Sequence, residues 1–156
     1  MSEAAPLPEL KTLGRYNLER TLGKGAMGVV YEGVDPRLGR RVALKLLPQV
    51  AHDGESLERF RREARSAARL HHTNIVPVFE VGDEDGVSFY VMQFIESRNL
   101  AGEIERLRQQ PLLFPAHQRR TAQLVEHVAR GLAYAHERDI IHRDIKPANL
   151  LLDASD

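Results

Sequence analysis

The chain has 156 residues, of which 42% are hydrophobic and 28% charged, and Lys plus Arg equals Asp plus Glu at 22 each. This composition is typical of one globular domain, or of one small lobe and part of a second, and it excludes a disordered or fibrous protein. The zero net charge gives no general attraction to nucleic acid, and the absence of cysteine excludes disulfides and thiolate zinc sites and fits a reducing cytosol.

Residues 1–14 contain two prolines and little hydrophobic periodicity, which predicts a flexible tail. They contain no positive segment leading into an apolar run, and no stretch of the chain approaches the ~18 apolar residues of a membrane span. The sequence as given therefore predicts a cytoplasmic protein without a membrane segment.

The first half of the chain has the pattern of a sheet with one helix. "RYNLERTLG", "AMGVVYEGVD" and "RVALKLLP" predict three strands, because valines alternate with turn residues at hairpin spacing. "DGESLERFRREARSAARLHH" has the periodicity of an amphipathic helix. Two more strands flank Asp85-Gly86, a strong hairpin signal. We expect a five-stranded antiparallel sheet carrying one helix.

After Ile95 the pattern becomes helical. "LAGEIERLRQQ" predicts a short helix, which Pro111 and Pro115 end. Residues 117–137 predict a helix about 30 Å long. Its apolar stripe comprises Leu124, Val125, Val128, Leu132 and Ala135. The whole chain is therefore expected to belong to the α+β class.

Gly23, Gly25 and Gly28 form a G-x-G-x-x-G pattern. Glycine lets the backbone approach phosphate oxygens closely. The pattern also marks dinucleotide-binding folds, where the glycines open a helix, and glycine is common in ordinary hairpins. Because β-branched residues continue on both sides here, we place these glycines in a hairpin between strands.

Lys45 lies in an apolar strand, and Glu63 shares the apolar face of the predicted helix with Phe60 and Ala67. A carboxylate turned inward requires a cation, because an unpaired buried charge is very costly. We therefore expect Glu63 to pair with Lys45. The alternatives are a surface lysine on an edge strand and a surface pair between Glu63 and a neighbouring arginine.

The segment "HRDIKPAN" contains Asp144, Lys146 and Asn149 within six residues. Phosphoryl transfer to a hydroxyl requires a carboxylate to orient the hydroxyl, a cation near the phosphoryl group and an oxygen ligand for Mg²⁺. These residues supply all three. The alternative, a charged loop after a helix, leaves the order of the other motifs unexplained.

Together the motifs resemble those of Hanks-type (eukaryotic-like) protein Ser/Thr kinases, and bacterial members most. The resemblance runs from about Tyr16 to Asp153 through "GKGAMGVVYEG", "VALK", Glu63, "HHTNIV" and "IIHRDIKPANLLLD". It implies a bilobal kinase-like fold with an N-lobe over residues 15–92, a hinge over 93–95 and an incomplete, mainly helical C-lobe over 96–156. A lysine two residues after the aspartate, here Lys146, resembles the pattern of Ser/Thr kinases rather than that of Tyr kinases.

The resemblance also implies ATP and Mg²⁺ as cofactors and a role for each motif residue. Asp144 would be the catalytic base, Lys146 would contact the γ-phosphate and Asn149 would bind Mg²⁺. The implied ATP-binding residues are Leu22, Gly23, Gly25, Gly28, Val30, Ala43, Lys45, Glu63, Met92, Gln93, Ile95 and Leu151. Among them Lys45 would hold the α- and β-phosphates, Met92 would be the gatekeeper, and Gln93 and Ile95 would bind adenine through their backbones.

The remaining histidines and arginines singled out by the sequence are not assigned to the chemistry. His142 and Arg143 are expected to have structural or regulatory roles. His71 and His72 suggest a metal pair, but the resemblance places them in a helix-to-strand connection. The arginines at 61–69 favour a solvated helix face over a nucleic-acid site, because no aromatics are interleaved. The expected partners are proteins with Ser or Thr acceptors, not nucleic acid, and a longer product could form a kinase dimer.

The 156 residues contain neither the D-F-G nor the A-P-E sequence of the family. We therefore expect a fragment that ends after the catalytic loop and is weak or inactive alone. Loss of a metal-binding aspartate should reduce the transfer rate by roughly 10²–10⁴. The alternative hypothesis is a non-catalytic nucleotide-binding or regulatory module.

Overall fold

The computed structural model describes residues 11–25, 28–47, 54–96, 98–109 and 114–153. The chain forms two compact units, which we call the sheet unit and the helical unit. The sheet unit comprises Met1–Arg69 and Pro77–Phe94, and the helical unit comprises Leu70–Val76 and Ile95–Asp156. The predicted tail over residues 1–14 lies outside the described residues for its first ten positions, and the predicted lobe boundaries stay a prediction.

The sheet unit contains a six-stranded antiparallel sheet. Its strands are β1 (Thr12–Leu13), β2 (Tyr16–Gly25), β3 (Gly28–Asp35), β4 (Arg40–Leu46), β5 (Val78–Glu84) and β6 (Val87–Gln93), in the order β1-β2-β3-β4-β6-β5. The five predicted strands are confirmed, but the count was wrong by one. The missed strand β1 has only two residues, too few for the alternation that identifies a strand.

The turn between β5 and β6 has the conformation that its sequence predicts. Asp85 and Gly86 both have positive φ, 49° and 75°. Two consecutive residues with positive φ are the requirement of a type I′ hairpin, and Asp-Gly meets it at low cost. This turn joins β5 to β6 in antiparallel pairing.

Strand alternation separates the two faces of the sheet. One face forms a core of buried residues: Leu13, Tyr16, Val42, Leu44, Leu46, Phe89 and Val91. The opposite face, which we call the site face, includes every second residue of β4 around Ala43 and residues that lie beside them on neighbouring strands. Its members are Arg20, Val30, Glu32, Arg41, Ala43, Lys45, Tyr90 and Met92.

The helix α1 (Gly54–Ala67) confirms the helix predicted after β4. It is amphipathic as expected, since Ala64 is buried while Arg62 and Arg65 are exposed. The side chains of Phe60 and Glu63 lie outside the described part of the chain, so their predicted inward orientation stays a prediction.

The helical unit contains α2 (Leu100–Arg108), α3 (Phe114–His136) and a single 3₁₀ turn, Pro147–Asn149. Asn99 caps α2, because its side-chain oxygen accepts a hydrogen bond of 2.9 Å from the Gly102 backbone N–H. Both predicted helices are confirmed, and α3 begins three residues earlier than expected.

The apolar stripe of α3 is only partly buried among the described residues. Ala135 is buried, Leu124 and Val128 are half-buried, and Val125 is 63% exposed. At Gly131 the segment 70–76 approaches closely, since a Cβ there would lie 3.1 Å from the Asn74 carbonyl oxygen. Glycine therefore allows this segment to pack on α3.

Among the described residues, no helix has both the length and the apolar character needed to cross a bilayer.

Candidate active site

The segment that follows α3 is shaped by two residues with positive φ. Asp139 (φ 57°) ends the helix, and the Ile140 N–H donates to the Ala135 carbonyl at 3.0 Å. Arg143 (φ 63°) then turns the extended chain. The Asp144 backbone N–H donates to Nδ1 of His142 at 3.3 Å, so the histidine supports the loop backbone.

Asp144, Lys146 and Asn149 contact each other directly. Lys146 Nζ lies 2.9 Å from Asp144 Oδ2, and Asn149 Nδ2 donates to the same oxygen at 2.9 Å and to the Asp144 carbonyl at 2.8 Å. The hydrogen bonds from Lys146 and then Asn149 lower the pKa of Asp144. The carboxylate is therefore ionised at neutral pH, and at 33% side-chain exposure it remains accessible to a substrate.

Asn149 closes the 3₁₀ turn, with its backbone N–H donating to the Lys146 carbonyl at 2.9 Å. Because the side-chain amide nitrogen is engaged with Asp144, the side-chain oxygen is the atom of Asn149 suited to a cation. Mg²⁺ prefers oxygen ligands and is usually held by few protein groups together with phosphates. The donor set at this turn therefore fits Mg²⁺ bound with a nucleotide.

The residues after Asn149 are fixed by a short bridge to the segment before α2. Asn99 and Leu151 pair as an isolated antiparallel bridge. The Leu152 N–H donates to the Arg98 carbonyl at 2.9 Å, and the Leu100 N–H donates to the Leu150 carbonyl at 2.8 Å. Leu152 is buried, whereas Leu151 is 45% exposed. The bridge thus leaves the Leu151 side chain available for contact.

A buried carboxylate in α2 lies beside this bridge and contacts Arg98, and the sequence analysis missed it. Glu103 is only 5% exposed and accepts hydrogen bonds from Arg106 at 2.7 and 2.8 Å. Arg120 of α3 and Arg98 lie 3.4 and 3.6 Å from its oxygens. The hydrogen bonds from Arg106 lower the pKa of Glu103 although burial opposes them. The i,i+3 spacing of Glu103 and Arg106 was the one available sequence signal.

In the sheet unit the three motif glycines lie where β2 meets β3. Gly25 pairs with Gly28, whose φ is 113°, and residues 26 and 27 fall outside the described residues. A Cβ at Gly23 or Gly25 would meet no atom within 4 Å, so the backbone here is open to approach. Gly23 and Gly25 lie at the end of β2 and Gly28 begins β3, so the glycines belong to a hairpin as the sequence predicted.

Lys45 lies in the middle of the site face. It pairs with Val30 on one side and Tyr90 on the other, and its Nζ is 5.7 Å from the centre of the Tyr90 ring. Ala43, two residues before it in β4, pairs with Glu32 and Met92.

Strand register therefore brings together four of the implied ATP-binding residues, Val30, Ala43, Lys45 and Met92. Leu22 in β2 is 39% exposed. The predicted pair of Lys45 with Glu63 involves a side chain outside the described part and stays a prediction.

The two implied adenine-binding backbones lie at the end of β6 and just beyond it. The Gln93 N–H donates to the Pro77 carbonyl at 3.1 Å, while its side chain is exposed. Ile95 is the first residue of the second segment of the helical unit and is half-buried. Their contacts with adenine stay a prediction.

Comparison with known proteins connects both units to one family. The sequence pattern described as "Protein kinase domain" matches residues 16–156. The chain is 40% identical over 141 residues to the serine/threonine-protein kinase PrkC of Bacillus subtilis, covering 90% of this chain and 21% of PrkC. It is 38% identical over 145 residues to PknA of Mycobacterium tuberculosis, covering 89% of this chain and 32% of PknA.

The fold has solved relatives as well. The chain superimposes on the kinase domain of M. tuberculosis PknI with a TM-score of 0.75 and 36% identity, covering 93% of this chain and 57% of that one. The chain thus spans between a fifth and a third of the length of the two curated relatives, and just over half of the solved kinase domain.

Proposed function

This chain belongs to the protein kinase domain family, and from that membership we propose that it transfers the γ-phosphoryl group of ATP to serine and threonine hydroxyls of proteins. The observation that carries the proposal is the contact of Asp144 with both Lys146 and Asn149. The named relatives are serine/threonine-protein kinases, which supports the choice of acceptor.

Asp144 acts as the base that orients and deprotonates the acceptor hydroxyl. Its lowered pKa keeps it as a hydrogen-bond acceptor at neutral pH, and its partial exposure leaves room for a hydroxyl group. Lys146 holds the carboxylate in place and supplies positive charge beside it. The proton of the acceptor hydroxyl passes to a carboxylate oxygen of Asp144.

When bound, ATP would supply the transferable phosphoryl group, and Mg²⁺ would neutralise the charge that develops on that group. We propose that the Asn149 side-chain oxygen holds Mg²⁺ and that Lys45 holds the phosphates together with the backbones of Gly23, Gly25 and Gly28. Leu22, Val30, Ala43, Met92 and Leu151 exclude water from adenine, and the backbones of Gln93 and Ile95 read its edge. Because ATP is the donor, we also propose a cytoplasmic location.

The polypeptide of residues 1–156 contains no D-F-G aspartate. We therefore expect slow phosphoryl transfer when this polypeptide is assayed alone, since a metal clamp contributes several kcal/mol to phosphoryl transfer. Robust Mg·ATP-dependent transfer that Asp144→Asn abolishes would contradict this expectation while supporting the assignment of Asp144.

A chimera tests the proposed activity with a D-F-G motif present. Residues 12–153 of this chain replace the matched part of the PknI kinase domain, whose remaining part then supplies the later family motifs. Transfer from γ-labelled ATP to a Ser/Thr peptide library is measured. We expect labelled serine and threonine, and loss of labelling in Asp144→Asn. A chimera that unfolds cooperatively but labels no peptide, or labels equally well with Asp144→Asn, would contradict the proposal.

A further inference from the structure

We infer that Arg41, held by the buried carboxylate of Glu32, is a positioning residue that fixes Phe94 and thereby the backbone that reads the adenine base. The inference rests on the proposed function, since it deepens how the same site would recognise its nucleotide.

The position of Arg41 follows from strand register. Along β4 the site face carries Lys45, Ala43 and Arg41 at every second residue. Consecutive residues on one face are about 6.6 Å apart, so Arg41 lies about 13 Å from Lys45. Ala43, which pairs with Met92, lies between them. Arg41 is thus on the far side of the implied adenine contacts from the phosphate-binding lysine.

Glu32 holds the Arg41 guanidinium in one orientation. The Glu32 side chain is 3% exposed, and its Oε1 accepts hydrogen bonds from Arg41 Nε at 2.7 Å and from Arg41 Nη2. Arg20 Nη2 lies 2.7 Å from the other oxygen, Oε2. That contact is ionic, because Oε2 accepts no hydrogen bond of suitable geometry among the described residues. Because two N–H groups of the planar Arg41 guanidinium donate to the same oxygen, the direction of its faces is fixed.

One face of this guanidinium covers the ring of Phe94. The Arg41 Cζ lies 4.2 Å from the ring centre, within the range of a cation–π contact. Phe94 stands directly between Gln93 and Ile95 in sequence, the two residues whose backbones we propose for adenine. Glu32, Arg41 and Phe94 therefore connect a buried charge on β3 to the segment that reads the base.

Loss of this network should affect recognition of the base and not recognition of the phosphates. Loosening Phe94 frees the backbone groups that bind the edge of adenine, but it leaves Lys45 and the glycine hairpin where β2, β3 and β4 hold them. ATP and GTP carry the same phosphates and sugar and differ only in the base. Variants of this network should therefore weaken ATP binding more than GTP binding.

The test measures the dissociation constants of Mg·ATP and Mg·GTP for the 156-residue chain by calorimetry. In the chain as it exists we expect a preference for ATP. Arg41→Lys keeps the positive charge but removes the planar group and its paired hydrogen bonds to Glu32. We expect it to raise the Kd for ATP about three- to thirty-fold, the size of a cation–π contact, with little change for GTP. Glu32→Gln and Phe94→Leu should act in the same direction.

Arg40→Lys is the matched control. Arg40 is adjacent to Arg41 and also covers an aromatic ring, with its Cζ 3.9 Å from the centre of the Phe79 ring. By alternation it points to the opposite face of the sheet. We expect Arg40→Lys to leave the ratio of the two dissociation constants unchanged.

A fall in the ATP preference with Arg41→Lys, and no further fall when Phe94→Leu is added, would establish the coupling. Equal losses of ATP and GTP affinity, or no loss, would overturn the inference and leave the proposed function intact. If Arg41→Lys prevents folding, Glu32→Gln, which weakens the contact that orients Arg41, replaces it in the same comparison with Phe94→Leu. A well-folded chain that binds neither nucleotide would remove the proposed function, and the inference with it.

Discussion

The two units hold their candidate functional residues in different ways. In the sheet unit, strand register aligns Val30, Ala43, Lys45 and Met92 on one face through backbone pairing. In the helical unit, Asp144 is held by the side chains of Lys146 and Asn149, within a loop that regular secondary structure does not support.

The difference indicates where each unit is sensitive to substitution. A binding surface built on strands depends on backbone pairing and tolerates changes of exposed side chains. The loop of Asp144 depends on the same polar groups to which we assign the chemistry. A single substitution there therefore removes both a proposed chemical group and a structural contact. The predictions below test this contrast, from the largest expected effect to the smallest.

The largest effect should come from Asp144→Asn in the chimera with the PknI kinase domain. The substitution removes the proton acceptor but keeps the shape of the side chain. We expect the transfer rate to fall by roughly 10²–10⁴ with little change in the KM for ATP. Initial rates of peptide labelling measure it. Asp139→Asn is the control, because asparagine tolerates the positive φ at that turn, and an equal rate loss there would argue against a specific role for Asp144.

In the sheet unit a buried glycine should be more critical than a motif glycine for stability. A Cβ at Gly33 would lie 2.7 Å from the Asn17 carbonyl oxygen and 2.8 Å from Leu44 Cδ1. Gly33→Ala should therefore reduce the free energy of unfolding by about 1–3 kcal/mol, as measured by urea denaturation. Gly23→Ala meets open space and should leave it unchanged, and a similar loss in both variants would refute the strand-based explanation.

Glu103 and the three arginines around it test what stabilises the segments next to the loop of Asp144. Glu103→Gln should destabilise the helical unit by about 1–2 kcal/mol, because charge-assisted hydrogen bonds become neutral. The pKa of Glu103 is lowered from its ordinary value of 4.5, so the charged form stabilises the fold above that pH. This contribution should be lost as the pH falls below about 4.5 through the folded pKa. Acid denaturation curves that are identical with and without Glu103 would contradict this role.

The smallest effect concerns Tyr16. Burial first, and then its 2.8 Å hydrogen bond to Glu80, raise the pKa of Tyr16 from 10.0 to about 12. The neutral phenol stabilises the fold below pH 10, and that contribution should be lost as the pH rises to about 12. Tyr16→Phe should cost about 1 kcal/mol at neutral pH and flatten the decline above pH 10. Absorbance titration that finds all tyrosines ionising near pH 10 would contradict it.

Features formed by residues that are close together in the sequence were predicted correctly. Asp144, Lys146 and Asn149 lie within six residues, and Asp85-Gly86 is a two-residue turn, so their geometry depends on few intervening dihedral angles. The amphipathic pattern of α1 and the existence of α3 were also readable locally. The predicted apolar stripe of α3 wrongly included Val125, which is largely exposed.

Contacts that depend on register were not predictable from the sequence. Glu32 meets Arg20 and Arg41 only because β2, β3 and β4 pair in one alignment, and β2 carries irregularities between Leu18 and Arg20 and between Thr21 and Gly23. No spacing rule anticipates such shifts. Glu103 similarly gathers Arg98 and Arg120 from outside its helix. Such partners require the tertiary structure.

The most direct test of the proposed binding of Mg·ATP is calorimetric titration of the 156-residue chain with this ligand. Lys45→Met alters only the sheet unit and Asn149→Ala alters only the helical unit. We predict that the unsubstituted chain binds Mg·ATP and that each substitution raises the Kd about tenfold or more, the loss of a charge-assisted contact. Binding that is unaffected by one of the two substitutions, or no binding by the folded chain, would contradict the account.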